Sequence, residues 1–238
     1  MVFQNLASTV LQNGGDIFPM MIDPKLSKGT GLCNASLLYT GEKLYMIIRN
    51  VEYTLHICEG EKKYYSCNAG PLCYYHRDDN LSLITVNFFC ELNPETLAIE
   101  KVSQIDTKKC DVKPIWNFIG LEDARLICWD NTFYACGVRR DTTTNGQGRM
   151  EFSELKITES PFNVEEISRT RIEVQDPSSY CEKNWMPIKD KPFHFIKWSN
   201  PTEVVHVDLA NKIANSIYKS SKKIVLPFDL RGGSQLIP

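Results

Sequence analysis

Short apolar runs, paired across tight turns and repeated along the chain, constrain this sequence more than any other feature. Residues 36–39 and 44–48 flank Thr40-Gly41-Glu42-Lys43, and residues 83–92 close on Asn93-Pro94-Glu95-Thr96. Leu126-Ile127-Cys128-Trp129 and Phe133-Tyr134-Ala135-Cys136 stand either side of the turn residues Asp130-Asn131. Residues 193–198 and 204–207 flank Ser199-Asn200-Pro201-Thr202. Apolar, aromatic-rich runs of this length, punctuated by Gly, Pro, Asn and Asp, are strands joined by hairpins. Helical periodicity is confined to residues 209–219, which also read as a turn followed by a strand. The expected class is all-β.

The units recur. Taking aromatic positions Tyr45, Phe88, Tyr134 and Phe195 as markers, the spacing is about 40–60 residues, in or near the range of a propeller-blade repeat. Each unit carries polar or charged residues at a strand end: Asn34 and Arg49, Asp123 and Arg125, Lys183 and Asn184, Arg231. A β-propeller would bring such ends together around one axis, whereas a β-sandwich would yield many short strands without that convergence. At 238 residues the chain can bury a sizeable core as one all-β domain. A single propeller domain over residues 1–238 is expected; the chain stops on entering a strand, which reads either as a natural terminus or as a last blade or blades cut short.

Residues 116–150 hold the densest charge. Glu122, Asp123 and Arg125 stand where an apolar hairpin begins, and Arg139, Arg140, Asp141 and Arg149 where it ends. Antiparallel pairing lays those ends side by side. Strand alternation places Asp123 and Arg125 on one face and Glu122 on the other. A carboxylate among guanidinium groups on a rigid sheet end can protonate a leaving group while its neighbours hold an anion. The same residues also read as a structural ion pair between Asp123 and Arg125. Residues 139–149 read as a long polar loop, either a lid or an exposed turn.

The bulk numbers exclude some classes. A net charge of −2 is at odds with a general nucleic-acid or anionic-membrane binder, and Arg139, Arg140 and Arg149 are the only hint of a basic stripe. No apolar run approaches membrane-spanning length, and residues 1–25 lack the pattern of a secretion signal. Nine scattered cysteines, several inside strand-like runs, show no metal-binding spacing; they read as reduced thiols in a cytoplasmic protein. No cofactor or membrane partner is expected, and a homo-oligomer stays open.

Five stretches in order carry a resemblance. They are Gly31-Leu32-Cys33-Asn34-Ala35-Ser36, Ile48-Arg49, Gly120-Leu121-Glu122-Asp123-Ala124-Arg125-Leu126, Glu182-Lys183-Asn184-Trp185-Met186-Pro187 and Arg231-Gly232-Gly233-Ser234. Together these resemble the five-bladed β-propeller enzymes of the β-mannoside phosphorylase family and the β-1,2-mannosyltransferases of similar fold. The Gly-Leu-Glu-Asp-Ala-Arg and Gly-Val-Arg-Arg-Asp blocks also resemble a group of propeller-like proteins loosely labelled glycosyltransferase-like. Cys33, Ala35 and Ala124 depart from the family pattern.

The resemblance implies a glycosyl transfer with inversion, of mannose or another sugar from a saccharide substrate: to phosphate as in a phosphorylase, to water as in a glycosidase, or from a nucleotide sugar as in a glycosyltransferase. Asp123 is then the general acid, working through a sugar hydroxyl while phosphate attacks the opposite face. Arg49, Arg125, Arg139, Arg140, Lys183 and Arg231 are the implied cradle for inorganic phosphate or for the diphosphate of a nucleotide-sugar co-substrate. Asn34, Asn184 and Trp185 are implied sugar contacts, the indole by stacking. The alternative is a catalytically inactive carbohydrate-binding or scaffold propeller.

Overall fold

The computed structural model describes residues 6–17, 22–28, 30–54, 64–69, 72–76, 82–173 and 178–225. Two short helices, α1 (Leu6–Gln12) and α2 (Pro24–Ser27), precede a chain that is otherwise strand and turn. Helix α2 starts at a proline whose missing N–H costs nothing there, with the Asp23 side chain accepting from Lys25 N at 2.8 Å.

Three antiparallel sheets follow one another along the sequence. The first begins with β1 (Gly31–Tyr39) and β2 (Leu44–Val51). It is interrupted by the small sheet of β3 (Tyr53–Thr54), β4 (Tyr64–Ala69) and β5 (Leu72–His76), and resumes with β6 (Leu83–Leu92) and β7 (Ile99–Gln104). Its order is β1-β2-β6-β7, and the two-residue β8 (Phe118–Ile119) adds a parallel pair to β6. The second sheet is an unbroken meander of β9 (Glu122–Trp129), β10 (Thr132–Arg139), β11 (Arg149–Glu159) and β12 (Phe162–Arg171). The third repeats that order with β13 (Met186–Pro187), β14 (His194–Ser199), β15 (Thr202–Asp208) and β16 (Ile213–Lys219). The fold is therefore all-β, and among the described residues no sheet closes on itself.

Local chemistry explains the hairpins. The β9–β10 loop is Asp130-Asn131 alone, with φ of 49° and 60°, the doubly left-handed turn that Asp and Asn tolerate. Asn93 Oδ1 accepts from Glu95 N and Thr96 N, which holds the β6–β7 turn in place of water. The helix-like periodicity of residues 209–219 resolves as a turn and a strand. Asp208 accepts from Asn211 N at 3.0 Å, and residues 213–219 then pair with β15. Pairing to an existing sheet edge satisfies backbone groups that a short isolated helix would leave to water.

One hydrophobic cluster runs through all three sheets. Leu38, Ile47 and Phe89 from the first meet Leu126, Ile127 and Phe152 from the second and Phe195 and Val207 from the third. A second cluster, including Met46, Phe88, Cys90 and Leu92, covers the opposite face of the first sheet beneath Ile22. Burying each such side chain contributes on the order of 1.5–3 kcal/mol, so these layers, not the surface charges, hold the sheets together.

Strand β9 lies against β1 on one side and β13 on the other. Leu126 N donates to Ser36 Oγ at 3.1 Å, linking first strand to first strand. Farther out, Asp106 exchanges backbone bonds with Val164 and Glu166, and Glu173 N donates to Lys212 O. Adjacent sheets are thus tied both where they begin and along their later strands, and the starts of β1, β9 and β13 are brought to one place.

Candidate functional site

Those three starts share a backbone feature. Asn34 in β1, Asp123 in β9 and Asn184 just before β13 have φ of 52°, 53° and 61°. Asn and Asp are the non-glycine residues that enter the left-handed region most cheaply, and each site breaks the regular strand with one. In β1 the pairing register slips between Cys33 and Ser36; in β10 it slips between Cys136 and Val138, opposite Asp123. Gly137 makes the second slip feasible, because a Cβ there would sit 2.5 Å from Glu122 O. A similar demand falls on Gly120, with φ of 100° and Thr85 O only 2.2 Å from a built Cβ.

The bulge overturns the alternation expected at this strand start. Glu122 and Asp123, adjacent in sequence, both reach the same guanidinium. Arg49 Nη1 donates to Asp123 Oδ1 at 2.8 Å, and Arg49 Nη2 lies 3.3 Å from Glu122 Oε2. A left-handed residue rotates the chain out of period two, so facing cannot be counted from residue parity there. The expected pair of Asp123 with Arg125 does not form. Asp123 instead receives Asn34 Nδ2 and Arg49 Nη1 on Oδ1, with Lys183 Nζ at 3.8 Å from Oδ2. Donors from the first sheet and from the approach to the third thus meet on one carboxylate of the second.

Arg49 is buried and densely held. Thr85 Oγ1 accepts from its Nε and Nη2 at 3.2 and 3.0 Å, and the Tyr53 hydroxyl lies 2.6 Å from Nη2. Behind it, Glu122 has its carboxyl pushed above the ordinary 4.5 by burial, opposed by Arg49 and Arg140. Arg140 Nε stands 3.7 Å from Glu122 Oε1, its guanidinium lies 5.2 Å from the Phe118 ring centroid, and Nη2 is 3.4 Å from Cys181 Sγ. Burial pushes the Cys33 and Cys181 thiols and the Tyr53 phenol upward, so these groups stay neutral near pH 7. Tyr53, Thr85 and Cys181 escape a reading of the sequence, because nothing local marks them as neighbours of Arg49 or Arg140.

Arg125 is 9% exposed, and its Nε has no hydrogen-bond partner. Burial lowers its pKa, with the charge of Asp123 acting the other way. Arg49, Arg140 and Lys183 pair with Glu122 and Asp123, and Arg125 feels the charge of Asp123 without pairing: four cations to two carboxylates. The surplus favours an anion.

Two other expected contributors stand elsewhere. Arg139 is buried with Asp141 at 3.1 Å and Glu151 at 2.9 Å, so its charge is already answered within the second sheet and it does not join the cluster on Asp123. Trp185 is 1% exposed, packed on Phe195 and donating to Glu182 Oε2 at 3.2 Å, so its ring is core and offers no face for stacking. Arg231 lies outside the described residues. Asn184 is half-buried beside Lys183 at the approach to β13. The loop over residues 140–148 is no exposed turn either: Asp141 is buried, Ile115 N donates to Asp141 O at 2.8 Å, and Gly148 exchanges backbone bonds with Tyr180 and Glu182.

Among the described residues no group of three or more His, Cys, Asp or Glu is placed to hold a metal ion, and no helix is long and apolar enough to cross a membrane. Cys33, Cys90, Cys110, Cys128, Cys136 and Cys181 are free thiols. Comparison with protein-family models, curated proteins and solved structures finds no match to this chain.

Proposed function

We propose that the chain is a carbohydrate-active β-propeller protein whose three four-stranded meanders are blades, and that it transfers a glycosyl group, of mannose or another sugar, with inversion. One observation carries the reading: Asn34 and Arg49 from the first sheet and Lys183 from the approach to the third converge on one carboxylate of the second, Asp123. Such convergence of strand starts is what a blade arrangement supplies and what a binding pocket between blades requires.

In this reading Asp123 is the general acid. Its Oδ1 is engaged by Asn34 and Arg49, which fix the carboxyl plane, while Lys183 Nζ stands 3.8 Å from Oδ2. The proton passes through a sugar hydroxyl to the departing oxygen, and an anionic co-substrate on the opposite face is held by the surplus cations Arg125 and Lys183. Inversion needs one positioned acid and a cationic cradle, so Glu122 has no place at the reacting atoms. Its role is to share Arg49 and orient it. Inorganic phosphate and the diphosphate of a nucleotide sugar fit the same cradle.

A second reading has its own support. Three donors on one carboxylate are also how a rigid, non-reacting ligand site is built, and a catalytically inactive carbohydrate-binding propeller would keep them. The discriminating experiment uses a panel of mannosides with phosphate, and of nucleotide sugars with sugar acceptors. Turnover that disappears in Asp123→Asn while ligand binding persists supports the enzyme. Saturable sugar binding without turnover in the unmodified protein selects the binding module.

A further inference from the structure

A cavity of about 300 Å³ lies between the first and second sheets, walled by β6 and the segment after β7 on one side and by β10 to β12 on the other. Its lining is mixed. Val86, Ile105, Ala135 and Leu155 give an apolar wall, and Asn87, Asp141, Glu166 and Arg169 give a polar one. This volume matches the lower end of small-molecule sites, enough for a compact ligand of a few heavy atoms.

The polar wall is not evenly satisfied. Glu166 is saturated: Ser153 Oγ and Arg169 Nη2 donate to it, and Arg169 Nε does so at 2.9 Å. Arg169 is equally occupied, reaching Cys110 O at 2.8 Å and Asp111 Oδ1 at 3.2 Å. Two acceptors are left over. Asn87, 8% exposed, spends its amide N–H on Leu121 O at 2.8 Å, and its Oδ1 has no partner. Asp141, 4% exposed, uses Oδ2 for Gly120 N and Arg139 Nη1, and its Oδ1 has none. A buried acceptor without a donor is costly, so two of them in one cavity call for a ligand that brings N–H or O–H groups. Charge narrows the choice. Asp111, Asp141 and Glu166 outnumber Arg139 and Arg169 along this lining, which disfavours an anion and favours a single positive charge.

We infer that this cavity binds a small amine: a primary ammonium donating to Asn87 Oδ1 and Asp141 Oδ1, carried on a compact apolar body that packs against Val86, Ile105, Ala135 and Leu155. The site is separate from the cluster on Asp123 and does not depend on glycosyl transfer. The two are nevertheless adjoining. Asn87 and Asp141 also hold Leu121 and Gly120, immediately before Glu122 and Asp123, and Thr85 both lines the cavity and grips Arg49.

The test titrates the full chain with butylammonium, 1-butanol and butyrate, three probes of nearly equal size, followed by backbone amide NMR and thermal unfolding. Butylammonium is expected to give saturable shifts at Gly120, Leu121 and Ile105, to raise Tm, and to bind at least tenfold more tightly than butanol. Ala135→Leu, which fills the cavity, removes those shifts, and Asn87→Leu weakens butylammonium at least tenfold while leaving butanol unchanged. Equal binding of butylammonium and butanol, tighter binding of butyrate, or no saturable shift with any probe would overturn the inference. The three-probe comparison on the unmodified protein decides the matter even if either variant fails to fold.

Discussion

Two clusters of arginine and carboxylate lie on the second sheet, and they differ in balance. Around Glu151, three cations (Arg139, Arg149, Arg171) meet three carboxylates (Asp141, Glu151, Glu173), with Arg139 and Arg171 both on Glu151 at 2.9 and 3.2 Å. Around Asp123, three cations (Arg49, Arg140, Lys183) pair with two carboxylates, Arg125 feels the charge of Asp123 without pairing, and the backbone that carries Asp123 is left-handed. Both clusters look alike as strings of Arg, Asp and Glu. What separates them is charge balance: the set around Glu151 has as many cations as carboxylates, whereas the set around Asp123 has more cations than carboxylates and a left-handed backbone.

That contrast can be broken from the structural side first. Glu151→Ala strips Arg139 and Arg171 of their shared partner inside the protein, and a cost of about 3–5 kcal/mol is expected from the uncompensated charge. Chemical denaturation measures it. A loss below about 1 kcal/mol would mean that Glu151 is not the partner that answers the charges of Arg139 and Arg171.

Next in size is Gly137→Ala, whose Cβ would press on Glu122 O at 2.5 Å and force the bulge beneath Asp123 to shift. A destabilisation of about 1–3 kcal/mol is expected from such overpacking. Sugar or phosphate affinity should fall beyond what the stability change explains, as isothermal titration on the still-folded fraction would show.

A smaller effect of opposite sign is expected from Arg125→Leu. The guanidinium is buried with an unpartnered Nε, so replacing it with an apolar side chain should leave stability unchanged or raise it by up to about 1 kcal/mol. At the same time, the Tm gain produced by inorganic phosphate should shrink. If Arg125→Leu instead destabilised the protein strongly, Arg125 would belong with the balanced set.

The finest test is pH. Burial raises the carboxyls of Glu122 and Glu151 above 4.5 in the folded chain. From 4.5 up to those raised values the native state keeps protons that the unfolded chain has lost, so these two groups make stability fall as pH rises through that window. Glu122→Gln removes one contribution, and the difference in unfolding free energy between parent and variant should drift in the variant's favour as pH climbs through the window. A difference independent of pH would show that Glu122 is ionised alike in both states.

How much of this is legible from sequence varies by residue. The hairpin of β9 and β10 follows from its apolar runs and Asp130-Asn131, and the strand over residues 83–92 is found to the residue. Asn34, Arg49, Asp123 and Lys183 are identifiable as strand-end polar residues, and they do meet. Trp185 misleads because an indole near charged residues reads equally as platform or core, and only its contacts with Phe195 and Glu182 choose. Arg139 misleads because its neighbours in sequence are the same as those of Arg140, while one residue of strand alternation sends the two to different carboxylates.

What the chain's order of residues determined by itself is everything of short range: the period-two burial of the strands, the turns that Asn, Asp and Gly allow, and the residues able to adopt a left-handed φ. Those preferences act within a few bonds and need no partner. The choice of charge partners was made only by the tertiary structure. Arg49 reaches Asp123 across 74 positions, and Thr85 joins them from a third strand. A guanidinium is attracted to every carboxylate alike, so which one it holds follows from where packed sheets put both, once the apolar clusters have set the distances.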